Sequence, residues 1–311
     1  MKPEVLMVGA MFKPTQAVLE STYTIHKLWD APDRDAFLAS IADRITAVAT
    51  TGSKGIDDAM MAKLPKLKVV AHFGVGVDSV DVDAAKRRGI SVTNTPDVLT
   101  EDVADIALAL MLSAIRRVPQ GDRYVRDGKW LDGPMALTQS VQGKTVGIVG
   151  LGRIGKAIAK RCEAFNLKVA YTGRNKQAGI AYAHHADPLS LARDVDVMIV
   201  AAPGGDTTRN LVNKAVLEAL GPEGTIVNIA RGSVIDETAM IEALSTGKLG
   251  AAGLDVFDKE PKVPAELLAL DNVVVQPHVG SATGPTRTAM GQLVIDNLAA
   301  FFAGKALVTP V

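Results

Sequence analysis

Short β-branched runs alternate along the chain with charged stretches rich in Ala and Leu. In the first third the runs fall at 5–8, 23–26, 47–49, 69–71 and 90–93. A second series falls at 145–149, 168–172, 195–201, 225–229, 251–255 and 272–275. This alternation predicts parallel strands joined by helices, in two α/β units placed in tandem. The segment 100–117 predicts a long helix between them: Thr100 is a candidate N-cap, Glu101 and Asp102 stand in the first turn, Arg116 and Arg117 at the end, and Pro119 lies beyond. Its middle, 106–112, is apolar on every face, which a helix tolerates only when surrounded by protein, so an interdomain position is expected.

The last segment repeats the pattern. Pro285 opens a helix, Ala289, Met290, Leu293, Val294, Leu298, Phe301 and Phe302 recur at helical spacing, and Gly304 closes it. That stripe must pack on something already folded, and little chain follows it. The tail is therefore expected to return to the first domain, giving 1–99 plus 284–311 as one domain and 100–283 as the other. No internal repeat is present, and Gly133-Pro134 marks a loop rather than a linker.

Composition narrows the class. A chain of 311 residues has room for about two domains of ~150 residues, each with its own core. Its 34 Lys and Arg balance 34 Asp and Glu, which leaves no overall field to draw nucleic acid or an anionic membrane. Lys86-Arg87-Arg88 reads as a solvated helix surface. Cys162 is the one cysteine, so no internal disulfide can form and a reducing compartment is expected. The apolar stretch 5–12 resembles a short secretory core, but Glu4 interrupts the basic lead and Lys13-Pro14 follow without a cleavage pattern, so a first strand is expected. No apolar run approaches the ~20 residues of a bilayer span. The expectation is a soluble cytoplasmic protein.

Gly150-Leu151-Gly152-Arg153-Ile154-Gly155 follows the run at 145–149 and opens a helix. In a dinucleotide fold the first glycine permits the tight turn, the second lets the backbone approach a pyrophosphate, and the third lets helix pack on strand. The next strand ends Gly173-Arg174-Asn175-Lys176, where an NAD enzyme usually carries an acid for the ribose 2′-hydroxyl. Here the acid is absent, Gly173 leaves room, and Arg174 offers a planar fork of donors to a 2′-phosphate. NADPH and NADP are therefore favoured, with NADH and NAD possible. Three further polar residues stand just after strands of the second unit, where open parallel sheets bind ligands: Arg231, Glu260 and His278.

Together with the glycine turn, these residues resemble the D-isomer-specific 2-hydroxyacid dehydrogenase family. The matching segments are Phe73-Gly74-Val75-Gly76-Val77-Asp78, Asn94-Thr95-Pro96-Asp97-Val98-Leu99-Thr100-Glu101, Asn228-Ile229-Ala230-Arg231-Gly232, Asp255-Val256-Phe257 with Glu260-Pro261, and Gln276-Pro277-His278-Val279-Gly280-Ser281-Ala282-Thr283. The resemblance covers nearly the whole chain. It implies two Rossmann-like or flavodoxin-like α/β domains with parallel sheets, the first discontinuous, and an active site in the interdomain cleft.

Reducing a 2-oxo acid requires a hydride, a proton for the carbonyl oxygen, a clamp for the carboxylate and exclusion of water. By resemblance His278 gives the proton, Glu260 orients the imidazole and favours its protonated form, and Arg231 grips carboxylate and carbonyl oxygen. The amides of Val75 and Gly76 are assigned to the other side of the carboxylate. For the cofactor the resemblance implies Arg153 and Ile154 beside the diphosphate, Pro203 and Thr208 after the fourth strand, Ile229 and Ala230 near the nicotinamide, and Asp255 on its carboxamide, with Thr100, Arg231, His278 and Gly280 also in the cofactor site. No metal is expected.

Within the family, Glu260 disfavours the formate dehydrogenase branch, which typically carries Gln there, and the chain is shorter than the phosphoglycerate dehydrogenases. The pattern is closest to NADPH-dependent glyoxylate/hydroxypyruvate reductases. Two alternatives stand beside this reading: a reductase of larger, phenylpyruvate-type acids, with pocket size set by 72–76 and 130–135, and a dinucleotide-sensing protein of the corepressor type. A homodimer is expected through the second domain and the region 100–140. His184-His185 reads as the polar end of an edge strand, His72 as structural or substrate-touching, and Cys162 as inert.

Overall fold

Strands covered by helices on both faces bury nearly every side chain, and the first sheet shows it: its central strands are almost wholly buried, and exposed strand residues lie only at its two edges. In the computed structural model, which describes residues 2–311, β1 (Glu4–Met7), β2 (Thr24–Lys27), β3 (Ala47–Thr51), β4 (Val69–Phe73) and β5 (Ser91–Thr93) pair in parallel in the order β2-β1-β3-β4-β5. The order reverses direction between β1 and β3. Ligands of open α/β sheets bind outside the carboxyl ends of the strands at such a point.

The chain divides into two units, one running up to Leu99 and joined by Ala282–Val311, the other spanning Thr100–Ser281. The helix Gly284–Phe302 packs on β4 and on the helix Lys13–Thr22. A Cβ at Gly291 would fall 1.8 Å from Thr15 Oγ1, so the two helices approach closely only because Gly291 has no side chain. Buried Asn297 then secures the tail, accepting from the Val308 and Thr309 amides at 3.0 and 3.1 Å, while Thr309 Oγ1 donates to Asn94 O at 2.6 Å. Val311 N donates to Val92 O at 2.9 Å. The end of the chain is thus stitched along β5.

In the second unit β6 (Thr145–Val149), β7 (Lys168–Thr172), β8 (Ala183–His185), β9 (Val197–Val200), β10 (Thr225–Asn228), β11 (Ala251–Leu254) and β12 (Val273–Val275) form one parallel sheet in the order β12-β11-β10-β9-β6-β7-β8. The reversal lies between β6 and β9, which is the doubly wound dinucleotide order with one strand added. β8 is the expected polar edge, too short and polar to register as a run of its own.

The helix Thr100–Arg116 lies on β10, β11 and β12 and against the helix Arg153–Ala164. A Cβ at Gly253 would sit 3.0 Å from Leu110 Cβ. The apolar middle of this helix therefore finds cover inside its own unit, while Ala109 stays exposed. Its ends differ from the expectation. Thr100 is the first helical residue rather than the cap. Arg117 takes a left-handed φ of +50°, which stops the helix, and Pro119 opens a second helix, Val118–Arg126. Proline suits that place because the first turn needs no amide from it. Among the described residues no helix is long and apolar enough to cross a membrane.

Candidate active site

The three glycines of the turn after β6 are there for three separate reasons. Gly150 has φ +98°, and a Cβ there would meet Ala202 N at 2.8 Å. Gly155 packs against Gly150, with only 2.3 Å between a built Cβ and the Gly150 carbonyl oxygen. Gly152 has nothing within 4 Å of its would-be Cβ, so its bareness serves no contact within the chain. It stands at the N-cap of the helix Arg153–Ala164 with no side-chain cap bond. Open backbone at the positive end of a helix fits a pyrophosphate. Arg153 is exposed and Ile154 half-buried on the first turn.

Gly173-Arg174-Asn175-Lys176 leaves the end of β7, with Arg174, Asn175 and Lys176 exposed and no acid among them. After β9, the Thr208 hydroxyl donates back to the Pro203 carbonyl at 2.7 Å and closes that loop on itself. After β10, buried Asn228 holds the next turn: its Oδ1 accepts from Ala230 N at 3.0 Å and its Nδ2 donates to Arg231 O at 2.9 Å. Ile229 and Ala230 are buried there. A Cβ on Gly232 would lie 1.9 Å from the Phe257 carbonyl carbon. That close approach places the Arg231 turn against the loop after β11.

In that loop Glu260 uses both oxygens. Oε1 accepts from the Phe257 amide at 3.1 Å, and Oε2 lies 2.7 Å from His278 Nδ1. An ionised carboxylate only accepts, so Nδ1 carries the proton of that bond, and Nε2 is the ring nitrogen that this bond does not use. Burial pushes the Glu260 carboxyl up, but the bond to His278, the charge of that ring, the Phe257 amide and the Arg231 guanidinium outweigh it, and its pKa lies below the ordinary value. The His278 and Glu260 side chains are 45% and 35% exposed, so the pair is not sealed within the core.

Asp255 anchors the histidine from beneath. It is 2% exposed, and its two oxygens accept from the Val279 and Gly280 amides at 2.7 and 2.8 Å, while its carbonyl accepts from His278 N at 2.9 Å. Burial raises its pKa despite these bonds. His278 itself has φ +54°, a conformation uncommon outside glycine, held here by that lattice of bonds. The resemblance implies Asp255 at the nicotinamide carboxamide, and within the chain its carboxylate is engaged with the histidine loop, where it positions His278.

In the first unit, the turn after β4 presents a second set of amides. The carbonyls of Gly74, Val75 and Gly76 accept from Thr95 N at 2.9 Å, Asn94 Nδ2 at 2.9 Å and His72 Nε2 at 2.9 Å respectively. Among the described residues nothing bonds the Val75 and Gly76 amides. His72 is fully buried and holds this turn through its bond to the Gly76 carbonyl. Elsewhere, His184 lies 5.0 Å ring to ring from buried Tyr171, and His185 Nδ1 is 3.7 Å from Asp194. The Cys162 thiol is buried and pushed up to about 12, which suits no nucleophile. Among the described residues no group of three or more His, Cys, Asp or Glu could hold a metal ion.

Residues 108–280 match the model of the D-isomer specific 2-hydroxyacid dehydrogenase NAD binding domain. The chain is 47% identical over 307 residues to glyoxylate/hydroxypyruvate reductase A of Arabidopsis thaliana, covering 99% of this chain and 98% of that one. It is 45% identical to a hydroxyphenylpyruvate reductase of Plectranthus scutellarioides, with the same coverage. The crystal structure of an NADPH-dependent glyoxylate/hydroxypyruvate reductase from Sinorhizobium meliloti, in complex with NADP and malonate, superposes with a TM-score of 0.95 at 42% identity, over 100% of this chain and 97% of that one. The chain belongs to the D-isomer specific 2-hydroxyacid dehydrogenase family. It is an oxidoreductase of the 2-hydroxyacid dehydrogenase class with an NAD(P)-binding domain.

Proposed function

We propose that this protein reduces glyoxylate and hydroxypyruvate to the corresponding D-2-hydroxy acids and prefers NADPH. The observation that carries the chemistry is the 2.7 Å bond between His278 Nδ1 and Glu260 Oε2, beside Arg231 at the next strand end and in the same sheet as the open glycine turn. A bound dinucleotide supplies the hydride. His278 gives its Nε2 proton to the forming alkoxide, with Glu260 holding the ring in the donating orientation. Arg231 clamps the carboxylate and stabilises charge growing on the carbonyl oxygen. The amides of Val75 and Gly76, aimed by the tied Gly74 and Val75 carbonyls of their own peptide units, hold the second carboxylate oxygen.

NADPH preference rests on Arg174 and Lys176 at the end of β7, where no acid opposes a 2′-phosphate. The lone buried Cys162 accords with a reducing, cytoplasmic home. A homodimer through the second unit is supported by the apolar series Val118, Val125, Trp130, Leu131 and Leu137, the last two 93% and 99% exposed. The 45% identity to a hydroxyphenylpyruvate reductase keeps an aryl-substituted oxo acid as the second reading.

A kinetic panel of glyoxylate, hydroxypyruvate and phenylpyruvate with each dinucleotide tests these assignments together. The expected result is highest kcat/KM for the two small acids with NADPH. A phenylpyruvate optimum would move the assignment to the second reading, and tight nucleotide binding without turnover of any 2-oxo acid would make the chain a sensor. His278→Ala is expected to lower kcat by about 10³-fold, the scale of a lost general acid, with the dissociation constant for NADPH nearly unchanged.

A further inference from the structure

The segment Gly173-Arg174-Asn175-Lys176 is fastened to the glycine turn at both of its ends. Where it leaves β7, the Gly150 amide donates to the Thr172 carbonyl at 2.9 Å. Where it finishes, the Gln177 side chain reaches back and its Nε2 donates to the Leu151 carbonyl at 2.7 Å. The same residue is held from below, its amide donating to the Tyr171 hydroxyl at 2.8 Å. Tyr171 is fully buried, with its ring 5.0 Å from that of His184 on β8.

Between these two fastenings Arg174, Asn175 and Lys176 are exposed and outside any helix or strand. A short span of long cationic side chains loses much conformational freedom when it closes on a phosphate, and fixing both ends in advance removes part of that loss. We propose that Gln177 is a positioning residue for dinucleotide selectivity: it sets the register between the Arg174–Lys176 span and the pyrophosphate turn, so that both phosphate groups of an NADP-type cofactor are met at once. The inference rests on the assignment of Arg174 to the 2′-phosphate. The chemistry requires a neutral donor at this place. A carboxylate would face the Leu151 carbonyl oxygen and repel the phosphate, and an apolar side chain of the same length would leave that carbonyl unanswered.

Gln177→Leu and Gln177→Glu separate this role from simple packing when KM and kcat are measured with NADPH and NADH under saturating 2-oxo acid. Gln177→Leu is expected to raise KM for NADPH about tenfold, the scale of one lost hydrogen bond, to change KM for NADH less than twofold, and to leave kcat at saturating NADPH within twofold. Gln177→Glu is expected to shift the NADPH/NADH ratio of kcat/KM further in the same direction. Tyr171→Phe, which keeps the ring in the core and removes only the acceptor for the Gln177 amide, is expected to lower the ratio about threefold. An unchanged ratio in the Gln177 variants, alongside a lowered ratio in Arg174→Ala, would overturn the inference and leave the phosphate assignment standing. An unchanged ratio in Arg174→Ala as well would remove the assignment and the inference with it.

Discussion

In the proposed reaction the turns after β4 and after β6 each offer backbone amides to an anion, and their constructions are opposite. After β6 the work is done by absent side chains: Gly150 takes φ +98°, Gly155 lies against the Gly150 carbonyl, and Gly152 leaves the helix N-terminus bare. After β4 it is done by present ones. Thr95 N and Asn94 Nδ2 tie the Gly74 and Val75 carbonyls, so that the Val75 and Gly76 amides in the same planar peptide units turn the other way, and His72 Nε2 ties the Gly76 carbonyl and fixes the unit that follows. A nest made by glycine contacts tolerates no added atom and fails abruptly. A nest held by donors from its neighbours loses them one at a time and fails by degrees.

The sharpest test of that contrast is Gly155→Ala. The new Cβ would sit 2.3 Å from the Gly150 carbonyl oxygen, a backbone atom that cannot swing away. Thermal or denaturant unfolding is expected to show a loss of about 1–3 kcal/mol, the usual cost of overpacking. Nucleotide titration is expected to show affinity reduced more than 100-fold, since the turn and the helix must separate. Retained stability and retained affinity would mean the third glycine is not a contact glycine.

Gly152→Ala sharpens the comparison from within the same turn. Nothing lies within 4 Å of that Cβ and the backbone is not in the left-handed region, so the unfolding free energy is expected to stay within about 0.5 kcal/mol of the parent. The affinity for NADPH is expected to fall by about 10- to 100-fold, because the methyl group stands where the pyrophosphate must approach and weakens one charge-assisted bond. Isothermal titration alongside unfolding separates the two quantities. Equal losses in both would erase the distinction between the contact glycines and the open one.

Much of this architecture is legible in the residues alone, and what is missing has a physical reason. Apolar runs reveal strands covered on both faces, so ten of the strands carry such a signal in their own residues, and edge strand β2 shows through Ile25 and its neighbours. β8 does not, because an edge strand of three polar-flanked residues buries too little to pattern its sequence. The glycine turn and the three polar residues after β10, β11 and β12 are visible because chemistry fixes their place at strand ends. Asn228 and Asp255 sit in the same places, yet they serve the backbone: one ties the Arg231 turn and the other the His278 loop. Position at a strand end does not separate a polar residue that faces substrate from one that holds the loop. Burial does, and burial is a property of the fold. Arg117 at φ +50° is hidden for a similar reason, since a basic residue in a helical pattern gives no sign that two helices meet there.

The graded side of the comparison is tested by removing one donor at a time from the turn after β4. His72→Leu keeps an apolar volume in a fully buried place and deletes the bond to Gly76 O. The Michaelis constant for the 2-oxo acid is expected to rise about tenfold, equivalent to a hydrogen bond of about 1.4 kcal/mol, while the dissociation constant for NADPH stays the same. Asn94→Ala removes the bond to Val75 O but leaves Thr95 N on Gly74 O and His72 on Gly76 O, so a rise of only about threefold is expected, near the weaker end for a partly exposed bond. The paired variant is expected to multiply the two effects or exceed their product, because with both ties gone the peptide units are free to rotate and the amides lose their common aim. If either substitution changed nucleotide affinity instead of the Michaelis constant, the turn after β4 would belong to the cofactor and not to the substrate carboxylate, and the two nests would no longer divide the work between them.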